Sequence, residues 1–453
     1  MTGTAALAGP RGRLLTGNLH EFAESPLEFL TRVAREHGPV ARLRFGRRRA
    51  LLLNDPALIE EVMVTRRASF VKSAPLRAQR RLFGNGLLTN EGDSWLRQRR
   101  LAQPAFHRDK LAIYANVIVE QASAFVDSLP VGGFAEIHDR LKSFTISVVS
   151  TSLFGGEIAH RAGALGVALE DTMNRYASRR GIARFTPDWF PIPVNTAYRE
   201  GVSAIEETVL EIISSRRKDT ASRNDLLSIL MEARYENGEA MSDRQLRDEA
   251  VTLFLGGIDT PALALTWCWY LLSQNPDVEQ KMFEEIDSLI GTRPANFSDI
   301  PRLCYTEMVV KEAMRLFPPA WLLSRDAVES VTIGNVTIAP GTSVLISQWV
   351  THRDPAFFPD PLRFDPNRWR NGATDDLPKF AYFPFGGGPR GCIGSSFAMT
   401  EMILSLVTIG QRLKFRLAEG ARVVPQASMT LRPKSGMKVR IEPRQLPARS
   451  AYE

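Results

Sequence analysis

A single cysteine, Cys392, lies in the glycine-rich stretch PFGGGPRGCIG, residues 384–394. An apolar pattern with helical spacing begins directly after this stretch. A thiolate is stabilised by the positive end of a helix dipole and by backbone N–H groups. The glycines let the backbone turn tightly and bring a flat, bulky group close to the sulfur. The pattern therefore indicates a cysteine that binds a metal from a loop.

Taken alone, Cys392 fits better as a small buried hydrophobic residue, as most free cysteines are. The spacing F-x-x-G-x-R-x-C-x-G is more specific, because five fixed positions match by chance in such a chain on the order of once in ten thousand. The five residues are Phe385, Gly388, Arg390, Cys392 and Gly394. This stretch resembles the haem-thiolate signature of the cytochrome P450 family. The resemblance implies that the loop surrounds haem b and that the Cys392 thiolate binds its iron, where it favours O–O cleavage.

A second unusual stretch, GGIDTP, interrupts the very apolar helical pattern over 243–272. Pro261 has no N–H to donate to the carbonyl of Gly257, and its ring clashes there, so the helix must bend or open. A simple packing kink is the alternative explanation. The stretch is similar to the acid–alcohol pair of the cytochrome P450 family. By that resemblance Asp259 and Thr260 deliver protons to dioxygen above the iron.

Two further groups match positions that hold the haem propionates in this family. In EGDSWLRQRR, Trp95 and Arg99 lie four residues apart on one helical face, with Asp93 or Ser94 as the expected N-cap. The alternative is a surface helix with a half-buried indole and solvated arginines. Arg325, which follows a later helix, also matches a propionate position.

The pair Glu312 and Arg315 has helical i,i+3 spacing, which alone usually indicates a surface salt bridge. Because FDPNRW with Arg368 follows about fifty residues later, the set resembles the Glu–Arg–Arg network that supports the cysteine loop in this family. We therefore expect a structural role for these three residues. The resemblance also implies a pocket of small and aliphatic residues, which suits a nonpolar terpenoid, fatty-acyl or polyketide substrate. The pocket residues are Leu87, Leu88, Gly256, Ala320, Leu322 and Met429.

The elements that position these residues are mostly helices. Two short strands, 39–45 and 50–53, flank a polar turn and predict a hairpin. Asp55 is the expected cap of a helix over 56–64. Weak periodicity over 71–90 predicts a long loop.

Long amphipathic helices are predicted over 111–230, interrupted by the proline-rich connection 184–195, which covers the substrate channel in the family. Another helix is expected over 276–290. Strand-like pieces over 331–338 and 343–347 predict a small β-rich lobe. The expected fold is mainly α with small β-sheets (α+β), and the resemblance implies a helix-rich lobe plus a smaller β-rich lobe around a buried haem.

Composition excludes several classes of protein. The 453 residues are 44% hydrophobic and 24% charged, and no linker divides them, so we expect one domain over 1–453. Three scattered cysteines predict a reducing compartment, here the cytoplasm. The first fifteen residues contain no long apolar run, so neither a signal peptide nor a membrane anchor is expected. The basic residues behind the net charge of +7 are dispersed and match no nucleic-acid motif.

The expected activity is that of a monomeric haem-thiolate monooxygenase that inserts one atom of O2 into a C–H or C=C bond. No nucleotide, flavin or iron–sulfur motif occurs in the sequence, so electrons must come from a ferredoxin or flavodoxin with its NAD(P)H reductase. Arg97 and Arg100 are candidates for docking that acidic partner. The rival hypotheses are a haem-binding sensor or carrier, and a peroxide-driven haem enzyme. Relatives of the peroxide-driven class typically lack the acid–alcohol pair, which Asp259 and Thr260 retain.

Overall fold

The computed structural model describes residues 7–155, 159–177, 189–219, 223–370, 372, 374 and 376–444. The chain forms two compact units. The first unit comprises the chain up to Ala74, Val126–Arg140 and the chain from Leu263 onward. The second comprises Pro75–Phe125 and Leu141–Ala262. Helices predominate and the sheets are small, so the expected fold class is confirmed.

Every strand among the described residues lies in the first unit. Its largest sheet has five strands, in the spatial order Val40–Phe45, Arg48–Leu53, Ser343–Ile346, Leu323–Ala327, Phe70–Lys72. The predicted hairpin is confirmed, since the first two strands pair antiparallel. The second and third strands pair in parallel, with Ala50 opposite Ser343. A three-stranded sheet contains Phe134–Glu136, Lys438–Pro443 and Leu413–Leu417 in that spatial order. Two further sheets have two strands each. One pairs Val331–Ile333 with Val336–Ile338, which confirms the strands predicted over 331–338, and the other pairs Pro425–Ala427 with Leu431–Pro433.

The two faces of the five-stranded sheet pack against different parts of the first unit. Successive residues of a strand point to opposite faces, so Leu51 and Leu52 enter different clusters. Leu51 packs in the cluster that contains Phe380 and Phe383, just before the glycine-rich stretch. Leu52 packs in the cluster that contains Leu30, on helix Pro26–His37. The sheet thus provides a buried base for the segment that carries Cys392.

Helices of the first unit pack with these sheets. They are Leu19–Glu24, Pro26–His37, Pro56–Glu60, Pro276–Leu289, Cys304–Leu316, Gln348–Thr351, Ser395–Gly410 and most of Asp259–Gln274. Asp55 caps the third of them by accepting from Leu58 N, and a π-helical turn over Glu61–Thr65 continues it, so this predicted helix is confirmed. The helix predicted over 276–290 is confirmed as Pro276–Leu289.

The second unit is built from helices. Those wholly or mostly within it are Ala74–Arg77, Arg80–Phe83, Gly92–Ala102, Arg108–Asp127, Ile137–Phe154, Ala159–Ala177, Pro193–Lys218, Leu226–Glu232 and Asp243–Gly256. The long helices predicted over 111–230 are confirmed in the described part of that range. The loop predicted over 71–90 is wrong in part, because the end of a strand and two one-turn helices lie in its first part. The connection predicted over 184–195 lies partly outside the described residues, and Pro193 begins the next helix.

The stretch Asp243–Gln274 is long and apolar enough to cross a membrane, but 61% of its most apolar window is buried inside the protein. Buried core helices have the same length and composition. This stretch is the apolar helix that the sequence predicts, and it is divided near its middle at Gly257 and Ile258.

Candidate active site

The cysteine loop, which we define as residues 384–394, is a compact turn in the first unit. Gly386 and Gly388 have φ angles of +68° and +66°, a conformation that favours glycine. A Cβ atom on Gly388 would lie 2.4 Å from the backbone oxygen of Met63, so a larger residue would collide with rigid backbone. The backbone N of Cys392 donates to Phe385 O at 2.9 Å, which closes the loop, and Cys392 remains exposed.

The surroundings of Cys392 suit a thiolate that binds a large cofactor. Gly394 is the N-cap of helix Ser395–Gly410 and has no side chain to accept from the first-turn N–H groups, so the positive end of the helix dipole adjoins the cysteine. By contrast, burial raises the pKa of the Cys268 thiol, which therefore stays protonated. The description of a small buried hydrophobic cysteine fits Cys268 and not Cys392.

Two arginines of the same unit are candidates for binding the acidic groups of a cofactor. Arg390 lies in the cysteine loop itself, and Arg325 is a largely buried residue on strand Leu323–Ala327. Haem with a sulfur ligand requires a soft thiolate for its iron and positively charged groups such as guanidinium for its propionates. The residues of this unit therefore fit haem.

A buried ion-pair network lies in the first unit. The carboxylate of Glu312 accepts from Arg315 at 2.9 Å and from Arg368 at 3.2 Å. Trp369 Nε1 and the backbone N of Asp365 donate to the same carboxylate at 2.9 and 3.1 Å. Glu312 and Arg315 are completely buried. Their ion pair is therefore an interior one, whereas the i,i+3 spacing alone would indicate a surface salt bridge. The carboxylate thus joins helix Cys304–Leu316 to a segment more than fifty residues away.

The break in the apolar helix is stabilised by two hydroxyl groups of the second unit. Thr260 Oγ1 donates to Gly256 O at 2.7 Å, across the break. Thr145 Oγ1, from a neighbouring helix, donates to Ile258 O at 2.9 Å. Both hydroxyls donate to backbone carbonyls that flank the break, and Ile258 O also accepts a long backbone bond from Ala262 N at 3.4 Å. The predicted opening of the helix is confirmed, whereas the contribution of Thr145 has no signal in the sequence.

Acidic residues on helix Asp243–Gly256 hold the segment that leads to Leu87, a contact that sequence reasoning missed. Asp248 Oδ2 accepts from the backbone N of Asn85 at 2.8 Å, and Glu249 Oε2 accepts from the backbone N of Leu87 at 3.0 Å. A Cβ atom on Gly86 would lie 2.3 Å from Thr252 Oγ1 and 2.5 Å from Asp248 O. The sequence GNG at 84–86 is thus explained by the close approach of this segment to the helix.

The helix with Trp95 and Arg99 runs over Gly92–Ala102, and Trp95 is buried. Its N-cap is Glu91, which makes no side-chain cap bond, so the predicted cap at Asp93 or Ser94 is wrong. Asp93 instead lies in the first turn, where its charge is favourable with the helix dipole. On the same helix, Arg100 is exposed and pairs with an exposed glutamate, Glu236, at 3.1 Å.

The remaining candidate residues are divided between the two units. Leu87 is buried, whereas Met429 has 53% of its surface exposed. The first unit contains Phe385, Arg325, Arg390, Cys392, Gly394, Ala320, Leu322 and Met429. The second contains Leu87, Leu88, Trp95, Arg99, Gly256, Asp259 and Thr260.

Comparison with known proteins gives consistent results. The family model described as "Cytochrome P450" matches residues 7–441. The chain is 35% identical to cyclooctatin synthase of Streptomyces melanosporofaciens, over 93% of this chain and 92% of that protein. It is 32% identical to cyclooctat-9-en-7-ol 5-monooxygenase of the same organism, over 92% and 90%. The crystal structure of the cytochrome P450DA heme domain superposes with a TM-score of 0.87 at 25% identity, covering 97% of this chain and 98% of that one.

Proposed function

The chain belongs to the cytochrome P450 family, and on that premise we propose that it hydroxylates a cyclic terpenoid. Members of this family are haem-dependent monooxygenases that insert one atom of O2 into a hydrophobic molecule with electrons from an external partner, and that is the activity of this chain. The exposed Cys392, near the end of a closed, glycine-dependent loop, is the observation that supports the haem-thiolate chemistry, and the names of the relatives support the substrate class.

We assign the iron ligand to Cys392. When bound, the haem supplies the oxidising chemistry, and the protein holds it and controls protons and substrate. The loop keeps the cysteine at one end of helix Ser395–Gly410, whose dipole favours the thiolate over the thiol. Phe385 and Gly394 would complete the surface of the loop against the cofactor.

The propionates of a haem carry negative charge that would be costly to bury without partners. Arg325 and Arg390 in the first unit, with Trp95 and Arg99 in the second, are the donors that we assign to these groups. Guanidinium groups suit this role because they bind carboxylates through two parallel hydrogen bonds. We also propose that residues 1–453 form a single domain.

Proton delivery to dioxygen is assigned to Asp259 and Thr260. The Thr260 hydroxyl donates to Gly256 O, which leaves its oxygen lone pairs available to accept a proton from a neighbouring donor. To pass a proton, the hydroxyl must turn away from Gly256 O, give its own proton toward dioxygen and take a replacement proton on its oxygen from the neighbouring donor. Asp259 lies one residue before Thr260, and we assign it as the acid that supplies protons to this hydroxyl.

The terpenoid assignment rests on the names of the two relatives from Streptomyces, which denote cyclooctatin and cyclooctat-9-en-7-ol. The candidate pocket residues are nonpolar and suit a hydrocarbon skeleton, which could not satisfy buried polar groups. They are Leu87, Leu88, Gly256, Ala320, Leu322 and Met429.

A panel of cyclic terpenes, fatty acids and polyketides of similar size tests the substrate class, with the spin-state shift of the haem iron as the readout. Cyclic terpenes should bind about tenfold more tightly than the other classes. Equal affinity for fatty acids would contradict the assignment.

The electron donor that we propose is an acidic ferredoxin or flavodoxin with its NAD(P)H reductase, acting on a monomeric, cytoplasmic enzyme. Arg97 and Arg100 are exposed on helix Gly92–Ala102 and provide positive charge for such a partner. Arg100 would exchange its exposed contact with Glu236 for one with the partner.

The decisive experiment for the haem assignment is replacement of Cys392. The Cys392→Ala variant should lose the Soret band that the reduced carbon monoxide adduct shows with a thiolate ligand. Cys304→Ala is the matched control, because Cys304 is also an exposed cysteine in the same unit. An unaltered band in Cys392→Ala would refute the assignment.

A further inference from the structure

A buried histidine connects the ion-pair network to the cysteine loop. His352 follows helix Gln348–Thr351 and has no exposed surface. Arg315 Nη1 donates to the backbone oxygen of His352 at 2.8 Å. On the other side, the backbone N of Phe383 donates to His352 Nε2 at 2.9 Å. Phe383 is the residue directly before the cysteine loop, so the histidine lies between the network and the start of the loop.

The hydrogen bond from Phe383 defines the protonation state of the imidazole. A backbone N–H is only a donor, so the accepting Nε2 must lack a proton, which assigns the neutral form with its proton on Nδ1. Protonation of Nε2 would place two N–H groups against each other and break this bond. The neutral form is therefore required for the contact.

The contact continues into the loop. Phe383 is buried, and its ring lies 5.2 Å from the His352 ring in an edge-to-face arrangement at 81°. The backbone oxygen of Phe383 accepts from Gly386 N at 2.9 Å. Two residues after Phe383, Phe385 O accepts from Cys392 N at 2.9 Å. A short series of hydrogen bonds and peptide links thus runs from the imidazole to the backbone of the cysteine.

We propose that His352 is a positioning residue for the iron ligand: its neutral imidazole holds the start of the cysteine loop, and protonation of His352 releases the loop and weakens thiolate ligation. This inference rests on the proposed role of Cys392. His352 is expected to act only through Phe383 and the loop, without touching the cofactor or the substrate.

The charged and titratable groups around His352 determine the direction of the effect. Burial is the main cause that lowers the pKa of His352 well below its ordinary value of 6.5, and the guanidinium groups of Arg353 and Arg315 lower it further. Backbone hydrogen bonding acts in the opposite direction and raises this pKa. Glu312 offsets the charge of Arg315 through their ion pair. Burial raises the pKa of Tyr382, whose ring lies 5.1 Å from the imidazole, so this tyrosine stays neutral.

The sign of the pH dependence follows from this lowered pKa. Above pH 6.5 the histidine is neutral in the folded and the unfolded chain, and its contribution to folding is complete. As the pH falls below 6.5, the unfolded chain binds a proton that the folded chain excludes, so the stabilisation is lost progressively. Acid should therefore destabilise the folded arrangement in which Phe383 N donates to His352 Nε2.

Two variants of the haem-loaded enzyme test the proposal. His352→Gln offers an amide oxygen that can accept from Phe383 N and does not titrate, whereas His352→Phe keeps an aromatic ring without an acceptor. The measurement is the fraction of the reduced carbon monoxide adduct that retains the thiolate Soret band between neutral pH and about pH 5. In His352→Phe we expect the fraction of the adduct with the thiolate band to be several-fold lower than in the wild type at neutral pH. His352→Gln should retain it, with an acid midpoint about one pH unit lower than that of the wild type.

A matched control is His138→Gln, because His138 is also buried in the first unit but interacts with Thr266 Oγ1, at 3.2 Å. This control should keep the wild-type acid midpoint. Amide hydrogen exchange over 380–394 provides a readout that does not depend on the haem, and it should be faster in His352→Phe. If His352→Phe fails to fold by circular dichroism, the acid midpoint of His352→Gln decides.

Two results would overturn the inference: full retention of the thiolate band in folded His352→Phe, or an acid midpoint in His352→Gln equal to that of the wild type. Failure of the proposed function looks different, because the wild type itself would then lack the thiolate band at every pH.

Discussion

The guanidinium of Arg315 lies 2.9 Å from the carboxylate of Glu312, and neither side chain has any surface exposed to solvent. Burying both charges costs several kcal/mol of solvation, which their attraction repays only with good geometry and additional hydrogen bonds. Glu312 has those bonds, from Arg315, Arg368, Trp369 and Asp365. The pair therefore holds together the segments around it, and removal of one partner leaves a buried charge uncompensated.

The Glu312→Gln variant should lower the free energy of unfolding by about 3–5 kcal/mol, because Arg315 then lacks its counter-charge. Denaturant unfolding measures this loss, and haem retention during gel filtration should fall in parallel. Glu307→Gln is the matched control: its ion pair with Lys311 lies on the same helix but is more than a third exposed. That change should cost no more than about 1 kcal/mol. Similar losses in both variants would show that burial of the pair is unimportant.

Replacement of Thr260 by alanine should uncouple electron consumption from oxygen insertion. The variant lacks the hydroxyl that donates to Gly256 O, so protons reach dioxygen without control and more peroxide is released. The measurement is peroxide formed per NAD(P)H consumed with a surrogate reductase, which should rise several-fold. Thr260→Ser restores a hydroxyl and should restore most of the coupling. Unchanged peroxide release in Thr260→Ala would remove the threonine from the proton path.

The Gly86→Ala variant should displace the segment that carries Leu87. The added Cβ would lie 2.5 Å from the backbone oxygen of Asp248, which cannot move without its helix. We expect weaker substrate binding, measured by the spin-state shift, and a thermal midpoint several degrees lower. Gly163→Ala is the control, because it lies in helix Ala159–Ala177 with open space around its Cβ position, and it should be neutral or slightly stabilising. Equal substrate affinity in Gly86→Ala and wild type would show that the segment does not shape the pocket.

Reduction by an acidic ferredoxin should slow as ionic strength rises, because salt screens the attraction to exposed arginines. Charge reversal in Arg97→Glu should slow reduction at low salt several-fold and flatten the salt dependence. Arg140→Glu changes the net charge equally at another exposed position and serves as the control. The rate of the first electron transfer, measured by stopped flow, distinguishes Arg97→Glu from Arg140→Glu. Equal slowing by both variants would indicate an effect of net charge alone, and another docking surface would then be sought.

Local patterns in the sequence predicted much of the secondary structure around the site. The hairpin over 40–53 follows from apolar residues around a polar turn, and the helix break follows from Pro261, whose missing N–H acts within one turn. The Glu312 and Arg315 spacing predicted a pair, but spacing cannot distinguish a buried pair from an exposed one. That depends on which distant segments cover the helix.

The contacts that sequence reasoning missed join residues far apart along the chain. Phe383 N and His352 Nε2 are 31 positions apart, and Leu87 N and Glu249 Oε2 are 162 apart. Each uses a backbone N–H as the donor, which every residue except proline possesses, so side-chain identity at Phe383 or Leu87 gives no signal. The only local trace is the presence of polar residues, His352 and Glu249, at positions that turn out to be buried.

The parallel pairing of Ala50 with Ser343 has a consequence for synthesis on the ribosome. The hairpin over 40–53 emerges early, yet the edge of its second strand has no partner until nearly three hundred further residues are translated. At roughly 5–20 residues per second, that edge waits on the order of 15–60 s. During this interval an unpaired strand can pair with other nascent chains, so a shortage of chaperones should reduce the soluble yield. Chaperones supplied during expression should recover it.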